Sequence, residues 1–336
     1  MRVINREELN IILKNHKLWL ERKGGKRADL SDTKLNNVDL RYAVLRQADL
    51  SYSNLRCADL AYTDLRDANL KHADLEGAYL RESKLNNANL DQANLKYADL
   101  ENADLRDADF SFACLEHANL RYADLEEAIL KYTHSSYVGL NNTDLSGAKL
   151  DHSDLRDANL KSADLTCADL RHSNLRNADL SYANINDVDL RDADLRGANL
   201  KGVETNMYTT GYNLACPEKG SFIGYKRAGA CIIELLIPES AKRSSATTMK
   251  CRCDKAIVKE IRNIETGELV DKVCSDHDHN FIYETGKTIS VANYDDDRWN
   301  ECSAGIHFFM NRENAISYKQ KIFTITNGVN YTIWEI

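Results

Sequence analysis

A leucine stands at every fifth residue from Leu30 to Leu200, interrupted only by Phe110, Ser135 and Ile185. Two residues before each of these positions the side chain is always Ala, Ser, Thr or Val, and the phase never slips. A period of five matches neither the 3.6-residue helix nor the two-residue strand, so no ordinary helix or flat sheet keeps these leucines on one face. Self-similarity over such a length predicts a solenoid, in which each repeat buries its apolar residues against its neighbours.

One large and one small apolar residue per pentad imply one inward-facing edge per pentad. If four pentads make a turn, each coil is a square with a Leu and an Ala inside every side. The Asp or Asn between them alternates outward, as a strand residue must. Its short side chain suits a bend, because it can bond nearby backbone. The remaining two residues sit at a corner facing water, which explains their variability. Coils stacked about 4.8 Å apart give a rod roughly 40 Å long. The one irregular place is Ile129–Gly139, where an inward Leu becomes Ser135 and the Asp/Asn positions become Ile129, His134 and Gly139. A polar core residue beside a Gly predicts a bulge or local bend there.

Ala48-Asp49-Leu50, Ala88-Asn89-Leu90 and Ala198-Asn199-Leu200 carry the motif A(D/N)LXX. The chain thereby resembles the pentapeptide-repeat family. The resemblance implies a mainly β protein, a right-handed quadrilateral β-helix, over residues 28–202. Residues 1–27 are read as a capping helix. Asn5 is its N-cap with Glu8 three residues on, Leu9, Ile12, Leu13 and Leu20 recur at helical spacing, and Gly24-Gly25 ends it. His16 is expected on the helix surface or in a cap. Residues 203–220 are expected to be a linker, and 221–336 a compact α+β domain. There, alternating runs such as Cys231–Ile237 and Lys255–Ile264 are separated by Thr266-Gly267, Thr285-Gly286 and Asn327-Gly328 turns. Arg298-Trp299, Glu301-Cys302 and Gly305–Phe309 in that domain resemble an uncharacterised domain that accompanies pentapeptide repeats in bacterial and phage proteins.

The sequence has nine Cys, an odd number, with no disulfide-framework spacing, which reads as reduced thiols in a cytoplasmic protein. No apolar run is long enough to span a bilayer, so no membrane partner is expected. Residues 28–202 hold twenty Lys/Arg against thirty-one Asp/Glu, a net of −11. Such a surface does not bind nucleic acid. It invites the opposite reading, a DNA mimic acting on an enzyme such as a type II topoisomerase, as some family relatives do. Duplex DNA carries about one charge per 1.7 Å, so a rod of that length would need roughly −24. The deficit places mimicry second.

The repeats offer no catalytic set. Residues twenty apart should stack, so Tyr52, His72, Phe112, Tyr132, His152 and His172 form one aromatic and imidazole column, a candidate partner surface, since Tyr is enriched at hot spots. In the terminal domain Lys242, Arg243, Ser244, Ser245 and Arg252, with His307 further on, form a candidate site for a small anionic ligand on a basic loop, possible through Arg forks and hydroxyls. Cys251, Cys253, Cys274, His277 and Cys302 offer zinc-type ligands at spacings that match no paired Cys-x-x-Cys site, so neither metal nor cofactor is expected. The reading is a non-enzymatic scaffold that binds a protein or a small anionic, nucleotide-like ligand and that can self-associate. An enzyme acting on a phosphorylated substrate in the terminal domain is the third alternative.

Overall fold

A computed structural model describes residues 1–300, 303–318, 323–326 and 329–332. The chain is mainly β with few helices and divides into two compact units, Met1–Asn213 and Leu214–Ile336.

In the first unit β1 (Arg2–Val3) precedes α1 (Arg6–Leu20) and pairs in parallel with β2 (Thr33–Lys34). Asn5 caps α1 by accepting from the Glu8 N–H at 2.8 Å. The helix ends at Leu20, and the chain then turns back against it at Gly25 (φ +80°), where a Cβ would stand 2.2 Å from the Asn15 carbonyl oxygen, so only glycine fits. His16, expected outside, is fully buried. Its Nδ1 accepts from the Ala28 N–H at 3.0 Å and its ring stacks on Trp19, which ties the helix to the first repeat. Burial holds the imidazole below its ordinary proton affinity, with Arg27 acting in the same direction. An unfolded His titrates near 6.5, so below about that pH the unfolded chain binds more protons and the helix contact loses stability. Hydrogen exchange of the α1 amides, corrected for intrinsic rate, should show more frequent opening at pH 5 than at pH 7.5, while the repeat amides stay protected. Equal opening at both values contradicts this role for His16.

From Asp29 onward the chain returns to the same strand position every twenty residues: Asp29 bridges Asp49 in parallel, Asp49 bridges Asn69, and the series runs without a gap to Asn184↔Glu204. In a pentad that carries Asp or Asn before Leu, as at Ala48–Tyr52, every N–H finds an acceptor, which explains the motif residue by residue. In the pentad that begins at Ala48, the Ala48 N–H bonds Leu45 O (2.9 Å), Asp49 bonds Ala28 O (3.0 Å), Leu50 bonds Asn69 O (2.8 Å) and Tyr52 bonds Lys71 O (2.9 Å). The fifth, Ser51, has no backbone acceptor and is taken by the Asp49 carboxylate at 3.0 Å. That Asx bond is why Asp or Asn recurs before Leu. The Leu and Ala columns are sealed; Leu50, Leu90, Phe110 and Leu170 are all 0% exposed. At several positions where Ser or Thr replaces Ala the buried hydroxyl donates to the carbonyl three residues earlier, as Ser53 does to Leu50 O (2.6 Å) and Ser173 to Leu170 O (2.7 Å).

The expected bulge at Ser135 is absent. Cys114, His134 and Asp154 bridge in unbroken register, as do Asn119, Gly139 and Asn159. The polar core residue is absorbed locally, because Ser135 Oγ donates to Thr133 Oγ1 (2.9 Å), which donates to Leu130 O (3.0 Å). The stack also outlasts the leucines. Glu204 and Thr210 still bridge to Asn184 and Asp189, so the expected linker begins with residues that belong to the repeat stack.

The second unit is built on a seven-stranded antiparallel sheet. Its strands are β3 (Phe222–Ala228), β4 (Cys231–Ile237), β5 (Arg243–Ser245), β6 (Lys250–Cys253), β7 (Lys255–Asn263), then β10 (Thr288–Ser290) and β11 (Ile306–Phe309). They are ordered β10-β7-β4-β3-β11-β6-β5, and β8 (Lys272–Cys274) with β9 (Ile282–Glu284) forms a separate pair. The short helix α2 (Arg312–Ser317) is capped by Asn311, and β12 (Phe323–Thr326) pairs with β13 (Val329–Thr332). The core face carries Ala228, Ile233, Leu235, Cys251, Cys253, Val258, Ile306 and Phe308. Phe308 lies on the backbone of Gly224, where a Cβ would meet its ring at 2.4 Å. The expected basic loop is a correction: Arg243–Ser245 is an edge strand and Lys250–Cys253 the strand beside it, and their alternation was hidden because polar residues occupy the outer face. Asn327-Gly328 and Cys302 lie outside the described residues.

Candidate functional site

Each corner of the repeat stack ends in a residue with φ near +58°, and the position is filled by Tyr, His, Phe, Asp, Asn or Cys more often than by glycine. For a bulky side chain this left-handed backbone costs on the order of 1–2 kcal/mol. Two things offset it. The residue's N–H joins the ladder to the next coil, and its side chain stacks on the residue twenty positions away.

The stacking is regular. Tyr52 lies on His72 with centroids 4.6 Å apart, Phe112 on Tyr132 at 5.1 Å, Tyr132 on His152 at 4.8 Å and His152 on His172 at 4.7 Å. All six candidate residues therefore fall in one column, split into two runs by Gln92. The next corner carries a second column, Tyr97–His117–Tyr137, spaced 5.1 and 4.9 Å. Between the two corners the outward strand positions are Cys114 and His134, where every other coil but the one with Lys34 places Asp or Asn. Tyr52, Phe112, Tyr132 and Tyr137 remain 54%, 55%, 44% and 54% exposed, so stacking covers the ring faces and leaves the edges to solvent. A ridge of ring edges and hydroxyls suits a protein surface. It offers no open ring face for bases to intercalate along its length.

The acidic surface is internally compensated. In each Asp-Leu-Arg triplet the guanidinium folds back on the carboxylate two residues earlier, as Arg41 does on Asp39 (2.8 Å), Arg66 on Asp64 (2.6 Å) and Arg171 on Asp169 (2.6 Å). The Arg41 bond holds the Asp39 carboxyl down at about 2.

In the second unit the candidate anion residues separate. Register places Ser244, Arg252 and His307 in one row across β5, β6 and β11, whereas Arg243 and Ser245 lie opposite Cys253 and Cys251 on the other face. Arg243 spends all five N–H groups on carbonyls of Pro217, Gly220, Pro238, Glu239 and Ala241, at 2.8–3.2 Å. Arg252 is buried; it donates to Ala304 O (3.2 Å), Asp297 O (2.8 Å) and Ser303 Oγ, under the ring of Tyr294. Tyr294, which no local sequence pattern marks, donates to Ser244 Oγ at 2.8 Å. Ser245 Oγ accepts from the Ala215 N–H at 2.8 Å, and Lys242 pairs with Asp296 at 3.0 Å. Cys251 and Cys253 are buried in the core, and Cys274 Sγ lies 3.7 Å from His279 Nδ1. Among the described residues no three His, Cys, Asp or Glu side chains converge as metal ligands, and no helix is long and apolar enough to cross a membrane.

The family model for pentapeptide repeats matches in six stretches: 28–61, 58–87, 83–121, 108–134, 140–177 and 173–204. The chain belongs to the pentapeptide-repeat family. Residues 212–315 match a second model, described as a family of unknown function (DUF5758). Among solved pentapeptide-repeat structures, HetL from the cyanobacterium Nostoc, titled as involved in heterocyst differentiation regulation, is 30% identical, with 61% of this chain and 98% of HetL covered at a TM-score of 0.33. A pentapeptide-repeat protein from the cyanobacterium Cyanothece is 35% identical over 27% of this chain and 62% of its own, with a TM-score of 0.27. QnrB1, titled as a plasmid-mediated fluoroquinolone resistance protein, is 18% identical over 55% of this chain and 88% of its own, with a TM-score of 0.39. No curated protein matches the chain. Within this pentapeptide-repeat protein, then, the family accounts for the Leu and Ala columns.

Proposed function

We propose that this pentapeptide-repeat protein is a non-enzymatic binding scaffold whose repeats form a right-handed quadrilateral β-helix and display a protein-docking ridge. The twenty-residue bridge register supports the four-sided coil, one side per pentad. The observation that carries the function is the exposed aromatic column Phe112–Tyr132–His152–His172 beside Tyr97–His117–Tyr137. Its Tyr and Phe side chains are costly at left-handed backbone positions, and the fold itself does not require them, since Asn, Asp and Gln fill the same positions in other coils.

Affinity capture with the full chain, followed by titration of the captured protein, tests this. The double variant Phe112→Ala, Tyr132→Ala should bind at least about a hundredfold more weakly, as loss of two clustered hot-spot residues does. It should still fold, with a melting temperature lowered by less than about 10 °C through loss of the two ring stacks. Unchanged affinity in that variant sinks the reading. Mimicry of nucleic acid is the weaker alternative, because the Asp-Leu-Arg pairs cancel much of the charge a polyanion imitation requires. An anionic ligand in the second unit is weaker as well, given that the Arg243 and Arg252 forks are already engaged by the protein's own carbonyls.

A further inference from the structure

Lys226 is the cation of the second unit whose position the scaffold reading leaves unexplained. β3 pairs with β4 from Phe222↔Ile237 to Ala228↔Cys231 without a register shift, so its alternate residues point to one face. Phe222 and Ala228 are on the core side, and Lys226 shares their parity, directly opposite the buried Ile233. A lysine on the core side of a central strand is rare unless paired. Lys226 has no hydrogen bond or ion pair among the described residues; Nζ lies 6.0 Å from the ring centroid of buried Tyr283. The other cations nearby are engaged: Arg227 donates to Ile316 O at 2.8 Å, and Lys250 lies 3.3 Å from the Tyr318 hydroxyl.

We propose that Lys226 is a carbonyl-capturing amine, a site at which a small aldehyde or ketone becomes bound as an imine. Desolvation depresses the Lys226 ammonium to about 8, with Lys250 adding to the effect and Asp276 opposing it. At pH 7.5 about a quarter of the amine is then neutral, against about a thousandth for an ordinary lysine. Burial and a neighbouring cation are the two devices that activate lysine nucleophiles. The neutral nitrogen adds its lone pair to the carbonyl carbon and the C=O pair moves to oxygen. Two protons, both originating on the amine, leave with that oxygen as water, and the C=N bond forms with no change of oxidation state. The apolar flank of Ile233 and Tyr283 favours an apolar substituent on the carbonyl.

The proposal is independent of the docking ridge, which involves other residues in the other unit. Full-length protein incubated at pH 7.5 with benzaldehyde and cyanoborohydride, then digested and read by mass spectrometry, tests it. Lys226 should be benzylated at least about tenfold faster than the exposed Lys259 and Lys272, a lower bound that discounts the neutral-fraction ratio for hindrance. Its labelling should rise through a midpoint near 8 as pH increases, well before the others. Labelling of Lys226 no faster than Lys259, or a midpoint with the ordinary lysines, overturns the proposal. No variant is needed, so misfolding cannot obscure the result.

Discussion

Truncating Phe110 to alanine is expected to destabilise the repeat stack by about 3–5 kcal/mol, the range for removing a buried aromatic ring. Phe110 is fully buried in a column otherwise made of Leu, with Leu90 and Leu130 at the same position in adjacent coils. Its backbone is fixed to the next coil and across its own corner, since its N–H bonds Ile129 O at 2.7 Å and its carbonyl accepts from the Ala113 N–H at 2.9 Å. The backbone therefore cannot collapse into the cavity. Because each coil bonds the ones twenty residues before and after it, the damage should uncouple the coils on either side and broaden or split the unfolding transition. Urea unfolding followed by circular dichroism gives the measurement. Phe112→Ala, two residues on and exposed, serves as the control and should change stability by less than about 1 kcal/mol. A Phe110→Ala loss as small as that of the control would mean that the interior is loosely packed.

The second large effect concerns Arg252. Arg252→Ala should lower the stability of the second unit by about 2–4 kcal/mol, because it takes the donor from the Asp297 and Ala304 carbonyls and the Ser303 hydroxyl and empties the buried space against the Tyr294 ring. Arg252→Lys should not restore it, since an ammonium lacks the planar fork that reaches Ser303, Ala304 and Asp297 together. Differential scanning calorimetry should place the loss in one transition and leave that of the repeats unchanged. A ligand-binding arginine gives the opposite pattern, a normally folded variant with weakened binding, so a stable Arg252→Ala protein would return this residue to the site.

The architecture of the first unit was legible because one physical constraint repeats. The Leu and small-residue columns state which side is inward, and the Asp/Asn position states where an amide lacks a backbone partner. The stacking of Tyr52 on His72 and of Phe112 on Tyr132 followed from the same arithmetic. What escaped the sequence were local solutions. Ser135 looked disruptive because the sequence does not show that the Thr133 hydroxyl, two residues away in an Ala position, is placed to accept from it. His16 looked exposed because helical periodicity cannot show that an N–H from Ala28 waits on the other side. In the second unit Arg243, Ser244 and Ser245 read as a basic loop because short edge strands with polar outer faces carry little hydrophobic alternation. That Arg243 serves backbone carbonyls depends on residues 217–241 folding around it, which no local pattern encodes.

The twenty-residue bridge register also limits how a gene for such a protein can change in length. Gain or loss of twenty residues moves every later side chain along its own column and leaves the sequence of faces intact. Gain or loss of five preserves the sealed interior equally well, yet carries every later residue to the next corner. Tyr132 would then no longer follow Phe112, and two half-ridges would point in different directions. Insertions that are silent for folding are therefore not silent for recognition, and the ridge can be dismantled without a single substitution.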